Sequence, residues 1–356
     1  MLSSAKKGAS LHKIRVFLKT FHYFSPTNLH SEREKFIKSN FYNPQLSYPA
    51  LPINKLRMFE ETLKSIGVPD TTDLASIIQR KKIEETSLKL KLFLALGKPG
   101  ISEISKKLYQ VSFDERSLTA AKESATTNIR FKPQEDLQAA DTLYAISEYL
   151  KGYQINNWRV EISDKGDFYF QVRPRKKLIT ISNSINWDGG DLDTVLAHEI
   201  DGHVLRAINA KRQELPFSEN FPFYIKTEEG LACYLSDFLS ENGELSLKHH
   251  AIKYLGGYYA QEHSFRETYN FFLDYGFTKE LAFQRTLRLK RGLADTSIPG
   301  LNAREAMYYE GMLEVKDYLD TGGNIQKLFA GKIGLADLEL VPIPENQIIP
   351  ERLLKN

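Results

Sequence analysis

One cysteine, Cys233, stands among 356 residues. A lone thiol excludes an intrachain disulfide framework and a cysteine-rich zinc ribbon, so any metal site must be built from histidines and carboxylates. No uncharged apolar run approaches the roughly 18 residues that span a bilayer. An excess of one charge sign is also missing: 48 Lys and Arg face 45 Asp and Glu, a net of +3, which argues against a nucleic-acid partner. Glycine (21) and proline (14) are too few for a collagen-like or low-complexity chain. These absences leave a soluble globular protein, read as intracellular and cytoplasmic, long enough for one large domain or two modest ones.

The charge is concentrated at the start. Residues 1–50 carry eight basic side chains against Glu32 and Glu34, a net of +6, which leaves −3 for the remainder. Lys13, Arg15 and Lys19 interrupt the hydrophobic stretch that a secretory signal needs. The segment reads as a basic arm solvated outside the fold; a transit peptide and an arm for an anionic partner are the alternatives. Along the chain, apolar spacing and breakers predict helices over 31–40, 55–65, 71–96, 101–109 and 115–124. Ala139, Leu143, Ile146 and Leu150 mark the apolar face of another. The period then changes to two. Trp158, Val160 and Ile162, followed by Phe168, Phe170 and Val172, alternate with polar residues and predict two strands joined as a hairpin, with a third strand over 178–181. The Gly189-Gly190 turn leads into a helix from about Asp191, and helices dominate to about Leu328. The order predicts a mostly helical α+β fold with a small antiparallel-containing sheet and an N-terminal helical region. Its expected organisation is a basic arm (1–50), a helical region packing on the core (51–135) and a metallopeptidase core (136–356).

The chemistry concentrates in the helix after Gly190, at His198-Glu199-Ile200-Asp201-Gly202-His203. His-Glu followed by a second His is a zinc-hydrolase arrangement, in which two neutral imidazoles bind the metal and the glutamate activates its water. The usual spacing is i and i+4, about 40° apart around an α-helix. Five residues give roughly 140°, so the ligands converge only if the helix widens, as in a π-bulge, or ends near His203. Gly202 is a residue type that tolerates such a distortion. Two histidines leave a catalytic zinc short of a protein ligand. Glu229, 26 residues after His203, lies in Thr227-Glu228-Glu229-Gly230-Leu231-Ala232-Cys233, where a helix begins. A carboxylate from a second helix completing a His/His/Glu set is the gluzincin plan. Taken singly, the segments would read as two surface histidines and as an acidic first turn favoured by the helix dipole. Together they outweigh that.

Glu228-Glu229-Gly230-Leu231-Ala232 downstream of His198-Glu199-Ile200, His203 and Arg206 resembles the QEGLA-motif proteins, a family described as modulating flavohemoglobin expression. The chain is also similar to the microtubule-associated tubulin tyrosine carboxypeptidases. The likeness runs through Lys290-Arg291-Gly292 and Asp295-Thr296-Ser297-Ile298-Pro299-Gly300 to Tyr308-Tyr309-Glu310-Gly311, and upstream through Pro26-Thr27-Asn28 and Phe41-Tyr42-Asn43-Pro44. The resemblance implies that His198, His203 and Glu229 bind one zinc ion per chain and that Glu199 is catalytic. The chain departs from the pattern in having Glu228 where bacterial members often have glutamine, and Asp201-Gly202 where the tubulin enzymes have Gly-Thr.

The activity so implied is removal of a C-terminal residue from a peptide or protein. Glu199 would take a proton from water and pass it to the leaving amine. An exopeptidase also needs a cation for the substrate carboxylate, for which Lys290, Arg291 and Arg288 are candidates. Tyr308 matches the pattern and could donate to the oxyanion. A strand of the small sheet could hold the peptide by β-augmentation. A non-catalytic zinc-containing peptide-binding module and a zinc endopeptidase are the alternatives, and nothing in the sequence supports tubulin binding. His249, His250 and His263 read as surface residues, and Cys233 as a small packed side chain.

Overall fold

The structure, a computed structural model, describes residues 4–19, 21–127, 137–164, 170–183, 191–214 and 219–354. The stretch read as an arm contains α1 (Ser4–Phe17), and the helices that follow form close to where the apolar period predicts them: α2 (Leu29–Lys38), α3 (Ile53–Ile66), α4 (Leu74–Leu94), α5 (Ile101–Tyr109), α6 (Glu115–Thr126) and α7 (Ala139–Gly152). Strands β1 (Arg159–Ser163), β2 (Phe170–Arg173) and β3 (Leu178–Ser182) follow. The short α8 (Leu192–Val195) enters a π-helix over Leu196–Val204, which continues as α9 (Leu205–Arg212). The rest is helical: α10 (Ile225–Phe238), α11 (Gly243–Ala260), α12 (Phe265–Asp274), α13 (Lys279–Lys290) and α14 (Ala306–Asp320). The result is a mostly helical α+β architecture with one small mixed sheet. Among the described residues, no helix is long and apolar enough to cross a membrane.

The sheet corrects the expected hairpin. Its order is β1-β3-β2: β1 pairs in parallel with β3 (Arg159 opposite Leu178), and β2 pairs antiparallel with the other edge of β3 (Phe170 opposite Ile181). The reason is burial. All five residues of β3 are buried, so it takes the centre, while the alternating β1 and β2 suit edges with one solvated face. Residues 165–167 of the expected hairpin turn, Phe168 and Tyr169 at the start of its expected second strand, and Gly189-Gly190 lie outside the described residues.

The chain forms two compact units, each discontinuous: Met1–Leu118 with Ile252–Met307, and Thr119–Ala251 with Tyr308–Asn356. In the first, α1 packs on α3 and α4, α4 on α5, and α12 on α13. The basic N-terminal stretch is therefore no loose arm. Leu11, Ile14, Leu18, Phe24 and Phe36 are buried while Lys13, Lys19, Lys35 and Lys38 stay exposed. Phe36 anchors an aromatic cluster with Phe265, Tyr269 and Phe283, ring centres 4.9 to 5.3 Å away, and Arg266 covers its ring at 3.4 Å.

In the second unit, α7 packs on β1 and β3, and α10 lies along the π-helix. The close approach is made by small residues. A Cβ on Gly202 would sit 2.7 Å from the Cβ of Ala232, and one on Gly230 would collide with the backbone of Gly311 in α14. Gly202 is thus glycine because α10 presses on it; its φ is not among the positive ones, which revises the expectation that it supplies backbone freedom.

Candidate metal centre

Asp191 starts the critical helix. Its side chain accepts from Thr194 N at 2.7 Å, and the Thr194 hydroxyl faces back to Asp191 N at 3.1 Å, a reciprocal cap that fixes where the chain turns helical. From Leu196 the ladder shifts to i→i+5, ending with Leu205 N donating to Ile200 O. That register places residues five apart above one another, which is the geometry an α-helix denies to His198 and His203. Their ring centres are 5.0 Å apart.

Glu229, from the first half of α10, closes the triangle. Its Oε2 lies 3.8 Å from His198 Nε2 and 3.4 Å from His203 Nε2, and the three donor atoms fall within 4.8 Å of one another. Donors 2.0–2.2 Å from one tetrahedral ion stand roughly 3.3–3.6 Å apart; the 3.4 Å separation falls in that range and the 3.8 Å one just beyond it, and the N/N/O set could hold a metal ion. Burial, then the neighbouring His203, holds His198 down to about 3, so its lone pair is free at neutral pH. Burial would lower His203 too, but Glu229 and Glu228 together lift it to about 10: the spot attracts positive charge.

A second set of groups holds the candidate ligands in place. His203 Nδ1 faces Glu228 Oε1 at 3.1 Å, which leaves Nε2 turned toward Glu229. Glu228 is buried and also accepts from Arg206 Nη1 at 2.7 Å and from Lys332 Nζ. Burial alone would raise its pKa; Lys332, Arg206 and His203 hold it well below the usual carboxylate range. Asp201, buried inside the motif, accepts from Tyr149 Oη at 2.9 Å and Arg352 Nε at 2.7 Å. Sequence reasoning missed Lys332, Arg352 and Tyr149 altogether. Arg206, about one turn after His203, is visible in the sequence only as part of the motif.

Glu199 makes no side-chain hydrogen bond or ion pair among the described residues and is half-buried. Burial raises its pKa, His203 opposes and Glu229 adds to the rise. Such a carboxylate suits proton transfer. Tyr308 is half-buried, one turn before Gly311, whose backbone abuts Gly230 beside Glu229. His250 is not at the surface as expected: its Nδ1 meets Asp237 at 2.9 Å and its Nε2 lies 3.6 Å from Cys233 Sγ. Cys233 itself is fully buried.

Lys290 and Arg291 belong to the first unit, and the candidate ligands all to the second. Lys290 is fully buried, and its ammonium donates to the carbonyls of Ala260 (2.9 Å), Gly300 (2.7 Å) and His263. Three donors are thereby used, which gives Lys290 a structural task in place of the expected substrate contact. Arg291 is half-buried, its buried Nε lacks a partner, and burial lowers its pKa.

Comparison with known proteins gives a family match. Residues 34–347 match the family model described as microtubule-associated tyrosine carboxypeptidase. Microtubule-associated tyrosine carboxypeptidase 1 of Rattus norvegicus is 25% identical over 321 residues, covering 88% of this chain and 60% of the relative; the Mus musculus protein gives the same identity and coverage. The putative tyrosine carboxypeptidase MATCAP2 of Homo sapiens is 30% identical over 177 residues, 46% of this chain and 32% of that one. The chain thus spans 60% of the length of the rodent relatives.

Proposed function

The chain belongs to the microtubule-associated tyrosine carboxypeptidase family, and on that premise we propose that it is a zinc metallocarboxypeptidase of gluzincin type, removing a C-terminal tyrosine or other aromatic residue from a peptide or protein. The observation that supports this reading best is the convergence of His198 Nε2, His203 Nε2 and Glu229 Oε2 beside the unpartnered carboxylate of Glu199. A zinc ion held there would acidify water and polarise the scissile carbonyl. Glu199 takes the proton of the attacking water on its carboxylate and delivers it to the leaving amine as the C–N bond breaks. Tyr308 Oη donates to the developing oxyanion. Of the expected cations, Lys290 is committed to three backbone carbonyls, and no substrate contact is assigned to it or to Arg291. The likeness to QEGLA-motif proteins, carried by Glu228–Ala232 downstream of His198-Glu199-Ile200, His203 and Arg206, brings no further activity. A purely structural metal site has no use for Glu199, which speaks against the non-catalytic alternative.

Metal analysis and peptide turnover test the proposal together. The purified protein is expected to hold about one equivalent of zinc, lost in His203→Ala. Glu199→Gln should keep the metal and cut turnover by at least about 10²-fold, the lower end of general acid–base contributions. Full zinc occupancy in His203→Ala, or unchanged turnover in a zinc-loaded Glu199→Gln protein, would overturn it.

A further inference from the structure

Near its end the chain runs as a strap across the second unit, pinned by side chains of the helices beneath it. Ile348 N donates to Asn209 Oδ1 at 2.9 Å, and Ile348 O accepts from Asn209 Nδ2 at 2.7 Å. Asn209, in α9, is fully buried. Glu351 N donates to Tyr153 Oη, just past α7, at 3.1 Å. The strap turns Arg352 inward, leaving 13% of its side chain exposed.

The guanidinium of Arg352 meets four elements at once. Its Nε donates to Asp201 Oδ2 in the π-helix at 2.7 Å, and its Nη1 to Leu239 O, the cap of α10, at 3.0 Å. Its Nη2 donates to Asp193 Oδ1 of α8 at 3.1 Å and to Tyr149 Oη of α7 at 3.3 Å. A planar guanidinium presents its donors in one rigid fork, so these partners are held at fixed distances from one another. His198 and His203 lie on the π-helix and Glu229 on α10, so one group ties together both elements that carry the candidate ligands. Gly202 against Ala232 is a second point of attachment between them. Two such points set both the spacing and the rotation of one helix against the other.

Asp201 shows that more than charge balance is involved. A guanidinium in need of a counter-ion alone would stop at Asp193, whose side chain is 36% exposed; Arg352 reaches on to Asp201, whose side chain has no exposed surface. Asp201 Oδ1 has no hydrogen-bond partner among the described residues, and Oδ2 takes both Tyr149 and Arg352. Without Arg352 the buried carboxylate keeps one phenolic donor, and a buried charge stripped of its partner is driven toward water. Asp201 gains water by rotating its turn of the π-helix, which carries His198 and His203 with it.

We propose that Arg352 is a positioning residue for the metal centre, holding the π-helix and α10 at the spacing that brings His198, His203 and Glu229 together. The inference rests on the metal reading of that cluster. It adds a residue that lies beyond the stretch 34–347 matched to the family.

The test is zinc affinity by chelator competition, with the visible spectrum of the cobalt-substituted protein as a readout of ligand geometry. Arg352→Gln should bind zinc about 10- to 100-fold more weakly than the parent, the scale for removing groups that orient ligands. Its cobalt spectrum should differ from the parent's, since band shape follows coordination geometry. Arg352→Lys keeps the charge without the fork and should fall between the two; it carries the test where Arg352→Gln does not fold. Ile179→Ala, in the buried centre of the sheet, is a destabilised control that should keep the parent's affinity and spectrum. Parental affinity in the Arg352 variants, or a loss no greater than that of Ile179→Ala, overturns the positioning role and leaves the metal reading standing. A parent protein that binds no zinc overturns both.

Discussion

Glu228 serves three partners at once: it orients His203 through Nδ1, and it neutralises Arg206 and Lys332 in a place without water to do so. The sequence shows only two adjacent glutamates; the structure separates them into one that faces the ligand cluster and one that stands behind it. Removing the second strands two buried cations, and breaking buried pairs in this way costs about 3–5 kcal/mol. Glu228→Ala should therefore lose stability of that order in denaturant unfolding. It should also weaken zinc binding by about 10- to 100-fold, the usual consequence of deleting the partner of a ligating histidine. A variant as stable as the parent, with unchanged metal affinity, would show that Glu228 does not hold His203.

The π-helix is the element that makes the site. Its i→i+5 ladder is rare because it packs the backbone poorly, and it persists where neighbours over-determine it. Two neighbours do so here. Ala232 of α10 leaves no room for a side chain at Gly202, and Tyr149 of α7 with Arg352 holds the Asp201 carboxylate inside the fold. Gly202→Ala would place a Cβ 2.7 Å from the Cβ and 2.8 Å from the Cα of Ala232. The π-helix and α10 must then part, at about 1–3 kcal/mol by analogy with other overpacked cores. Because the proposed ligands sit on those two elements, zinc affinity should fall along with stability. Ala232→Gly should partly restore both, which a double-mutant cycle would read as coupling.

At the scale of the whole molecule, the chain carries its candidate catalytic groups in one unit and the basic run at Lys290-Arg291 in the other. Directionality is the property that distinguishes a carboxypeptidase from an endopeptidase. Amidating a peptide's C-terminus removes the charge that a cation would bind, and a desolvated charge pair is worth roughly 2–5 kcal/mol. The amide should thus be cut at least about thirty-fold more slowly than the acid. Equal cleavage of acid and amide, or internal cuts first, would replace the carboxypeptidase with an endopeptidase.

What the sequence determined by itself was local. Apolar spacing marked the helices, the change to period two marked the strands, and the five-residue step from His198 to His203 already required a helix that widens or ends near His203. Each of these signals lies within one or two turns of chain, where neighbouring side chains alone decide the geometry. Pairing was a different matter. The central place of β3 depended on burial from both faces, which the alternation within β1 and β2 does not record. The solvated reading of residues 1–50 failed because charge was counted without the apolar face of α1 and the anchor at Phe36. Lys332 lies 104 residues from Glu228, and Arg352 lies 151 from Asp201. Such pairs leave no periodic trace, because a buried ion pair needs only that the fold bring two charges together after removing water from both. Tertiary structure alone decided which carboxylates, of 45 acidic residues, would face the ligand cluster and which would hold it in place.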